Sequence, residues 1–434
     1  MANITTINDD EVELKVAVTI PNSEYDDLYN IELENIAKDA KFDGFRKGKV
    51  PKNIIKAKFD AQCHQKSISS LIDLHTTKIN SEKKLELIDT PSVKLIETPS
   101  KEKELSFEIT FNKMPNIDIS IISKIKLTLP DVTIQSNDID SVIDNILKQN
   151  YRWEDSNKSC QSGDKVVMDY VGKIDDKDFP NNKQDDFTFI VDDLIKGDNA
   201  TVDLFKQFSK NCLGKDINSK FEVTHQMPTD FPDKELCGKV INYSIFLKKI
   251  LKGIPPKLDK DFFTKLGIDT DDINVFKERV KEHMQFELND KLHSVHYGLV
   301  NEALVNDFSF DPPKSMLEKN EKELNQQYAS LKNDNKDMST EIHNIAIKRV
   351  KLNIIYIKLS KEIDTNISDE SAIEFCNKQS PSFRRFYSDK LKKDKAATLS
   401  DIKNKIIENN IVDYVINKST ITKEKRTFSE LMDG

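Results

Sequence analysis

Glycine is scarce in this chain, with 11 in 434 positions where average usage gives roughly 30. That scarcity excludes a collagen, a glycine-rich phosphate cradle and a flexible linker array. No Gly-x-x-x-x-Gly-Lys-[Ser/Thr] segment occurs, so work driven by a bound nucleotide is not expected. No apolar run reaches the roughly 18 uninterrupted residues of a membrane span. The opening Met1-Ala2-Asn3-Ile4-Thr5-Thr6 has no basic region followed by an apolar core, so no secretory signal is expected. Cysteine is sparse and odd in number (63, 160, 212, 237 and 376), with no Cys-x-x-Cys. This suits buried thiols in a reducing cytosol. The net charge of -8 argues against a protein that coats nucleic acid, while leaving room for a local basic patch. Arginine is rare beside lysine, 7 against 59, so each arginine stands out as a choice against the background. His293-x-x-His296 lacks the glutamate of a zincin, and neither a metal nor a cofactor is expected.

What is present is periodic. Val12, Leu14, Val16, Val18 and Ile20 alternate as one face of a half-buried strand. Pro21-Asn22 ends it, and Ser23 is the expected cap of a helix carrying Tyr25, Leu28, Tyr29, Ile36, Ala37 and Ala40. Pro51 opens a second helix that runs to about residue 80. Strands follow near 93–97 and 104–111, which makes a compact α+β domain. Residues 117–134 read as extended. Ser136 then caps a helix with Ile139, Val142, Ile143, Ile146 and Leu147 on one side. Between 160 and 253 lie six of the 11 glycines and four β-rich runs, which predict a small antiparallel β domain. Beyond Ile254-Pro255-Pro256 the pattern is helical almost to the end, broken at Asp311-Pro312-Pro313 and Ser380-Pro381.

The most informative segment is Lys41-Phe42-Asp43-Gly44-Phe45-Arg46-Lys47-Gly48-Lys49-Val50-Pro51. Residues 41–58 hold seven bases and one acid, a local charge of +6 on an acidic chain. Two glycines four apart allow a tight turn between helices that holds Phe45, Arg46 and Lys47 outward. An aromatic beside Arg and Lys suits docking onto RNA phosphates and a protein groove together. A generic basic loop would be merely solvated, with Phe45 packed on its own helices. The full pattern, however, resembles the ribosome-docking signature of the trigger factor family, matched here by Gly44, Phe45, Arg46, Lys47, Gly48 and Pro51.

Val166-Val167-Met168-Asp169-Tyr170-Val171-Gly172 resembles the first strand of an FKBP-type prolyl isomerase, the domain that family carries at this place. Such enzymes hold a peptidyl proline in an aromatic cup, where desolvation lowers an isomerisation barrier of about 18–20 kcal/mol. By resemblance the cup comprises Tyr170, Phe179, Phe187, Phe189, Val202, Phe205, Phe231 and Tyr243. Pro180 stands where the family has an acidic residue, and Leu204 where it has a glycine. The same aromatics also read as the core of a small β domain.

Farther on, Phe262, Phe263, Leu266, Phe276, Val280, Met284, Phe286, Leu288, Leu292, Val295, Leu299, Ala303 and Leu304 keep helical spacing. So do Ile342, Ile345, Val350, Leu352, Ile354, Ile355 and Leu359. Such helices either bury each other or leave apolar surface open between arms to hold unfolded segments. The trigger factor resemblance continues through Gly298-Leu299-Val300 and the closing Ile421-Thr422-Lys423-Glu424-Lys425-Arg426-Thr427-Phe428, and it favours the open reading.

The resemblance implies a multidomain α+β protein with four parts. These are a ribosome-binding α+β domain (1–115), an extended segment and helix packing with the C-terminal domain (116–157), an FKBP-like antiparallel β domain (158–252) and an all-α chaperone domain with arms (253–434). It implies an ATP-independent cytoplasmic chaperone that docks at the tunnel exit of the large ribosomal subunit, on protein and rRNA. There it holds nascent and unfolded polypeptides and assists folding and export, with associated prolyl isomerase activity. A homodimer off the ribosome is expected, and no membrane, nucleotide, metal or cofactor. The alternative is chiefly an isomerase whose helices only recruit substrate.

Overall fold

The computed structural model describes residues 2–39, 50–100, 102–192, 200–229, 231, 233–328 and 338–433. By internal contacts the chain divides into two compact units, Met1–Asp131 with Asn289–Arg426, and Val132–Leu288 with Thr427–Gly434.

The first unit opens with the antiparallel pair β1 (Asn3–Asp9) and β2 (Glu13–Ile20). Asp10 closes their turn, its carboxylate accepting from the N–H groups of Val12 and Glu13 at 3.0 and 2.8 Å. Helices α1 (Asn22–Asp39) and α2 (Lys52–Lys83) follow, then β3 (Ser92–Glu97) and β4 (Leu105–Asn112). The sheet order is β1-β2-β4-β3, every pairing antiparallel. Opposite partners across β2 and β4 are Leu14 with Phe111, Val16 with Ile109, Val18 with Phe107 and Ile20 with Leu105. All eight are buried, as strand alternation requires when one face meets helices. Each such side chain contributes about 1.5–3 kcal/mol on burial. Ser23 is not the cap of α1. The helix starts at Asn22, with the Pro21 carbonyl accepting from the N–H groups of Glu24 and Tyr25.

The segment expected to be extended is only partly so. A 3₁₀ turn (Ile119–Lys124) capped by Asp118 precedes β5 (Lys126–Asp131). The second unit then holds α3 (Ser136–Gln149), β6 (Arg152–Asp155), β7 (Lys165–Lys173), β8 (Lys183–Ile190), α4 (Ala200–Cys212), β9 (Lys220–Gln226) and β10 (Val240–Ile254). Gln135, rather than Ser136, caps α3 through a capping box with Asp138. Strand β10 is the spine of a five-stranded antiparallel sheet, pairing β7, β9 and β6 along its length. Gly253 is required at its end, because any Cβ there would run into the Tyr151 ring. Helix α5 (Lys260–Lys265) and the first part of α6 (Ile273–Asp307) complete this stretch.

The rest of α6 belongs to the first unit, with α7 (Lys314–Gln327), α8 (Ser339–Leu359), α9 (Asp369–Lys378), α10 (Pro381–Lys393), α11 (Lys395–Lys418) and β11 (Thr420–Lys425). A short α12 (Phe428–Asp433) groups with the second unit. Strand β11 corrects the expectation of helix almost to the end. It pairs in parallel with β5, from Thr420 opposite Lys126 to Lys425 opposite Asp131. Residues Ile122, Ile125, Leu127 and Leu129 are thereby drawn into one core with Val300, Leu304, Val350, Ile354, Ile355, Leu359, Ile411 and Val415.

Candidate functional site

Three places bear on function. The first is the segment between α1 and α2. Gly44, Phe45, Arg46, Lys47 and Gly48 lie outside the described residues, while Pro51 is the exposed N-cap of α2. The two helices that flank this segment are tied to each other at several points. Lys52 reaches Glu34 at 2.7 Å, Lys66 reaches Glu32 at 2.8 Å, and His75 meets Glu24 at 3.1 Å. Between these ties the Tyr29 hydroxyl donates to Asp60, and the Tyr25 hydroxyl shares a hydrogen bond with His64 Nδ1. Burial pushes the Tyr25 phenol up to about 12, so it stays protonated at neutral pH. Lys52, Lys56 and Lys58 remain exposed on the first turns of α2.

The second place is the β domain. Tyr170 on β7 and Tyr243 on β10 bring their ring centroids to 5.7 Å, and Tyr170 meets Phe187 of β8 at 5.6 Å. Phe205 of α4 stacks on Phe187 at 5.1 Å, and Phe189 adjoins Phe187 at 5.8 Å. Five of the eight candidate cup residues therefore form one continuous aromatic cluster. Phe179 and Phe231 pack on the same core without a ring contact to the five, and Val202 is buried on α4. At the centre lies a residue that sequence reasoning missed. Phe208 is fully buried and touches Tyr170, Tyr243 and Phe205 at 5.3, 5.4 and 6.1 Å. Its signal was present as Phe205-x-x-Phe208, one helical turn on the same face. Leu204 is buried in this core as well, so a leucine side chain is accommodated where the family pattern has none; Pro180 is exposed.

Gly172 makes the cluster geometry achievable. It lies opposite Tyr243 in the ladder, and a Cβ there would sit 2.8 Å from the tyrosine ring. Desolvation raises the Tyr170 phenol above its ordinary value and pushes Tyr243 up to about 12. Both stay neutral and able to donate a hydrogen bond, which suits a neutral amide better than a charged group. His225 on β9 is buried in the same domain, with neither ring nitrogen hydrogen-bonded among the described residues. Its pKa is held down by loss of solvent, partly opposed by Asp203. No group of three or more His, Cys, Asp or Glu among the described residues could hold a metal.

The third place is the helical part. Phe263, Phe276, Met284 and Leu288 are buried in the second unit, while Leu266, Ile273, Val275 and Phe286 are exposed. In the first unit the exposed apolar side chains include Ile345, Ile373 and Phe386, the last at 55%. No helix among the described residues is long and apolar enough to cross a membrane.

Two family models match the chain, bacterial trigger factor protein over residues 2–146 and the trigger factor C-terminus over residues 272–417. The chain belongs to the trigger factor family. Trigger factor of Pasteurella multocida is 27% identical over 433 residues, covering 97% of each chain. Trigger factor of Mannheimia succiniciproducens is 25% identical over 442 residues, covering 99% of each. A solved structure of the trigger factor chaperone, from work on promiscuous substrate recognition in folding and assembly, is 15% identical. It covers 96% of this chain and 99% of that chain, with a TM-score of 0.42. The Pasteurella and Mannheimia proteins run alongside this chain over nearly its whole length.

Proposed function

We propose that this chain is an ATP-independent, cytoplasmic holding chaperone that docks at the ribosomal tunnel exit and keeps emerging polypeptides open for folding and export. The observation that carries the reading is family membership at both ends of the chain, with collinear relatives over nearly all of it. In this reading residues 1–115 dock, 116–157 join the helical part, 158–252 form the isomerase-like domain, and 253–434 hold clients. Gly44, Phe45, Arg46, Lys47, Gly48 and Pro51 make the ribosome contact, with Lys52, Lys56 and Lys58 adding positive charge toward rRNA phosphates. Off the ribosome the chain forms a homodimer.

Two measurements test this. The chain should suppress aggregation of a diluted unfolded protein without nucleotide, and it should co-sediment with 70S ribosomes less strongly as salt rises. Replacing Phe45, Arg46 and Lys47 together by Ala should abolish co-sedimentation and spare aggregation suppression. Unchanged co-sedimentation would remove the turn from the docking role.

A second reading, chiefly prolyl isomerase, is favoured by the continuous cluster of Tyr170, Phe187, Phe189, Phe205 and Tyr243. There the cup residues, with Phe179, Val202 and Phe231, would surround the proline, and a neutral tyrosine hydroxyl would donate to a peptide carbonyl. Turnover of a proline peptide that falls on Tyr243→Phe while client holding persists would establish that activity beside the chaperone one. Absence of turnover would leave the cluster as core.

A further inference from the structure

Helix α7 begins after Asp311-Pro312-Pro313, and its N-cap Pro313 makes no side-chain capping bond. The Ser315 N–H, one of the donors a helix start leaves unpaired, is satisfied from β2 instead. The Glu13 carboxylate accepts from it at 3.2 Å. The Ser315 hydroxyl donates to Asn112 Oδ1 at 2.7 Å. Glu13 and Asn112 are direct partners across the β2–β4 ladder, 9% and 5% exposed. Asn112 Nδ2 in turn donates to the Asp89 carboxylate at 3.0 and 3.2 Å. Glu13 has no ion pair among the described residues, so the positive end of α7 is what faces its charge. Lys361, just beyond the end of α8, donates to Glu86. The Met114 N–H reaches the Glu86 carbonyl at 2.7 Å, and the Ile88 N–H reaches the Asn112 carbonyl at 2.9 Å. One rim of the N-terminal sheet therefore holds the start of α7 and the end of α8 together.

The two helices also pack on each other, through Leu324, Ile342 and Ala346, and Glu321 meets His343 at 2.5 Å. What is fixed at their base is thus fixed for both. Helix α7 has 14 residues and spans roughly 21 Å, so a tilt of about 6° at Ser315 carries its far end by about 2 Å. Met316 and Ile88 share the apolar core beside the rim. Such packing is non-directional, whereas hydrogen bonds to a carboxylate and an amide admit a narrow range of orientations. Helix α8 carries Ile345, one of the exposed apolar side chains of the first unit.

We propose that Glu13 and Asn112 are positioning residues for client holding, seating the start of α7 on the N-terminal sheet and so setting where α7 and α8 present apolar surface. The inference rests on the client-holding reading and deepens it by assigning residues that act on a client only through Ser315. A cap supplied by α7 itself would hold the helix together equally well. It would not tell the helix where to point. Drawing the cap from β2 does both, because the same carboxylate that satisfies the Ser315 N–H belongs to a strand of another element.

The test sets amide exchange beside aggregation suppression, on the full chain and three variants. Glu13→Ala should speed exchange over the first turn of α7 at least about threefold, with β4 and ribosome co-sedimentation unchanged. The chain concentration that suppresses aggregation by half should rise at least about threefold. Ser315→Ala, which removes only the hydroxyl bond to Asn112, should move both readings the same way by less. Glu13→Ala combined with Lys314→Asp gives α7 an acidic first turn of its own. Exchange protection should return in that variant while suppression stays weak. Suppression that returns along with protection would overturn the proposal and leave Glu13 as a cap alone. Suppression unaltered by Glu13→Ala would overturn it as well; should that variant not fold, unaltered suppression by Ser315→Ala decides in its place. A wild-type chain that suppresses no aggregation would sink the chaperone reading. One that suppresses it without regard to Glu13 and Ser315 would sink only this assignment.

Discussion

Two aromatic regions of this molecule are built from the same residue types and behave oppositely. In the β domain, Tyr170, Phe187, Phe205, Phe208 and Tyr243 close on one another, with Phe208 fully buried. On α10, Phe383, Phe386 and Tyr387 also touch, with centroids at 4.5 Å for Phe383–Tyr387 and 5.1 Å for Phe386–Tyr387. Yet Phe386 is 55% exposed and lies under a lysine. The difference comes from what faces each ring. Strands β7, β8 and β10 turn every second side chain toward α4, so aromatics at that period meet one another from several elements. Helix α10 is short and strongly basic, and no residue of it is fully buried. One region spends its aromatics on holding a domain together. The other leaves one beside cationic side chains at the surface.

The largest effect that probes this contrast is deletion of the central ring. Phe208→Ala should destabilise the β domain by about 3–5 kcal/mol, the usual cost of removing a buried phenylalanine. Trp153, the single tryptophan, pairs with Gly253 on β10 and reports that domain in a denaturant titration. Loss under about 1 kcal/mol would mean that the cluster is loosely packed and open, as a cup must be.

Next in size is Gly172→Ala. The added Cβ would sit 2.8 Å from the Tyr243 ring, so the ring or the strand must shift. Overpacking of this kind costs about 1–3 kcal/mol. Pairing the change with Tyr243→Ala should relieve most of the cost. A cost unaltered by that second change would place the conflict in the backbone instead.

These assignments were unevenly legible in the sequence. Strict alternation announced β2 and β4, and the four β-rich runs after residue 160 became β7 to β10, because period two is a local property. Strands β1, β6 and β11 were not foreseen, since polar or short edge strands carry no alternating face. The pairing of β11 with β5 joins residues nearly 300 apart, which no local pattern encodes. The resemblance supplies cup residues without Phe208, although its helical spacing from Phe205 puts it on the same inward face.

A smaller, pH-linked effect distinguishes the two regions further. His225 is buried without a hydrogen bond among the described residues, and its pKa is held below the ordinary 6.5 chiefly by desolvation. The unfolded chain takes up that proton near pH 6.5, while the folded domain does so only at lower pH. Stability is therefore full above about 6.5 and falls as pH drops from there toward the lowered folded value. One proton limits the slope to about 1.4 kcal/mol per pH unit. Denaturation reported by Trp153 should show this loss, and His225→Leu should flatten it. An equal slope in the variant would assign the loss to other groups.

The smallest expected change is at the exposed ring. Phe386→Ala should alter stability by no more than about 0.5 kcal/mol, because a side chain already half in water loses little burial when truncated. Lys390 would lose its ring and gain water, a nearly even exchange at a solvated site. A loss above about 1 kcal/mol, growing with protein concentration, would mean that another copy of the chain covers the ring in solution. The contrast with Phe208 would then be between a core closed within one chain and a surface closed by association. A loss independent of concentration would instead mean that α10 packs more tightly than its exposure indicates, and the two aromatic regions would differ in degree rather than in kind.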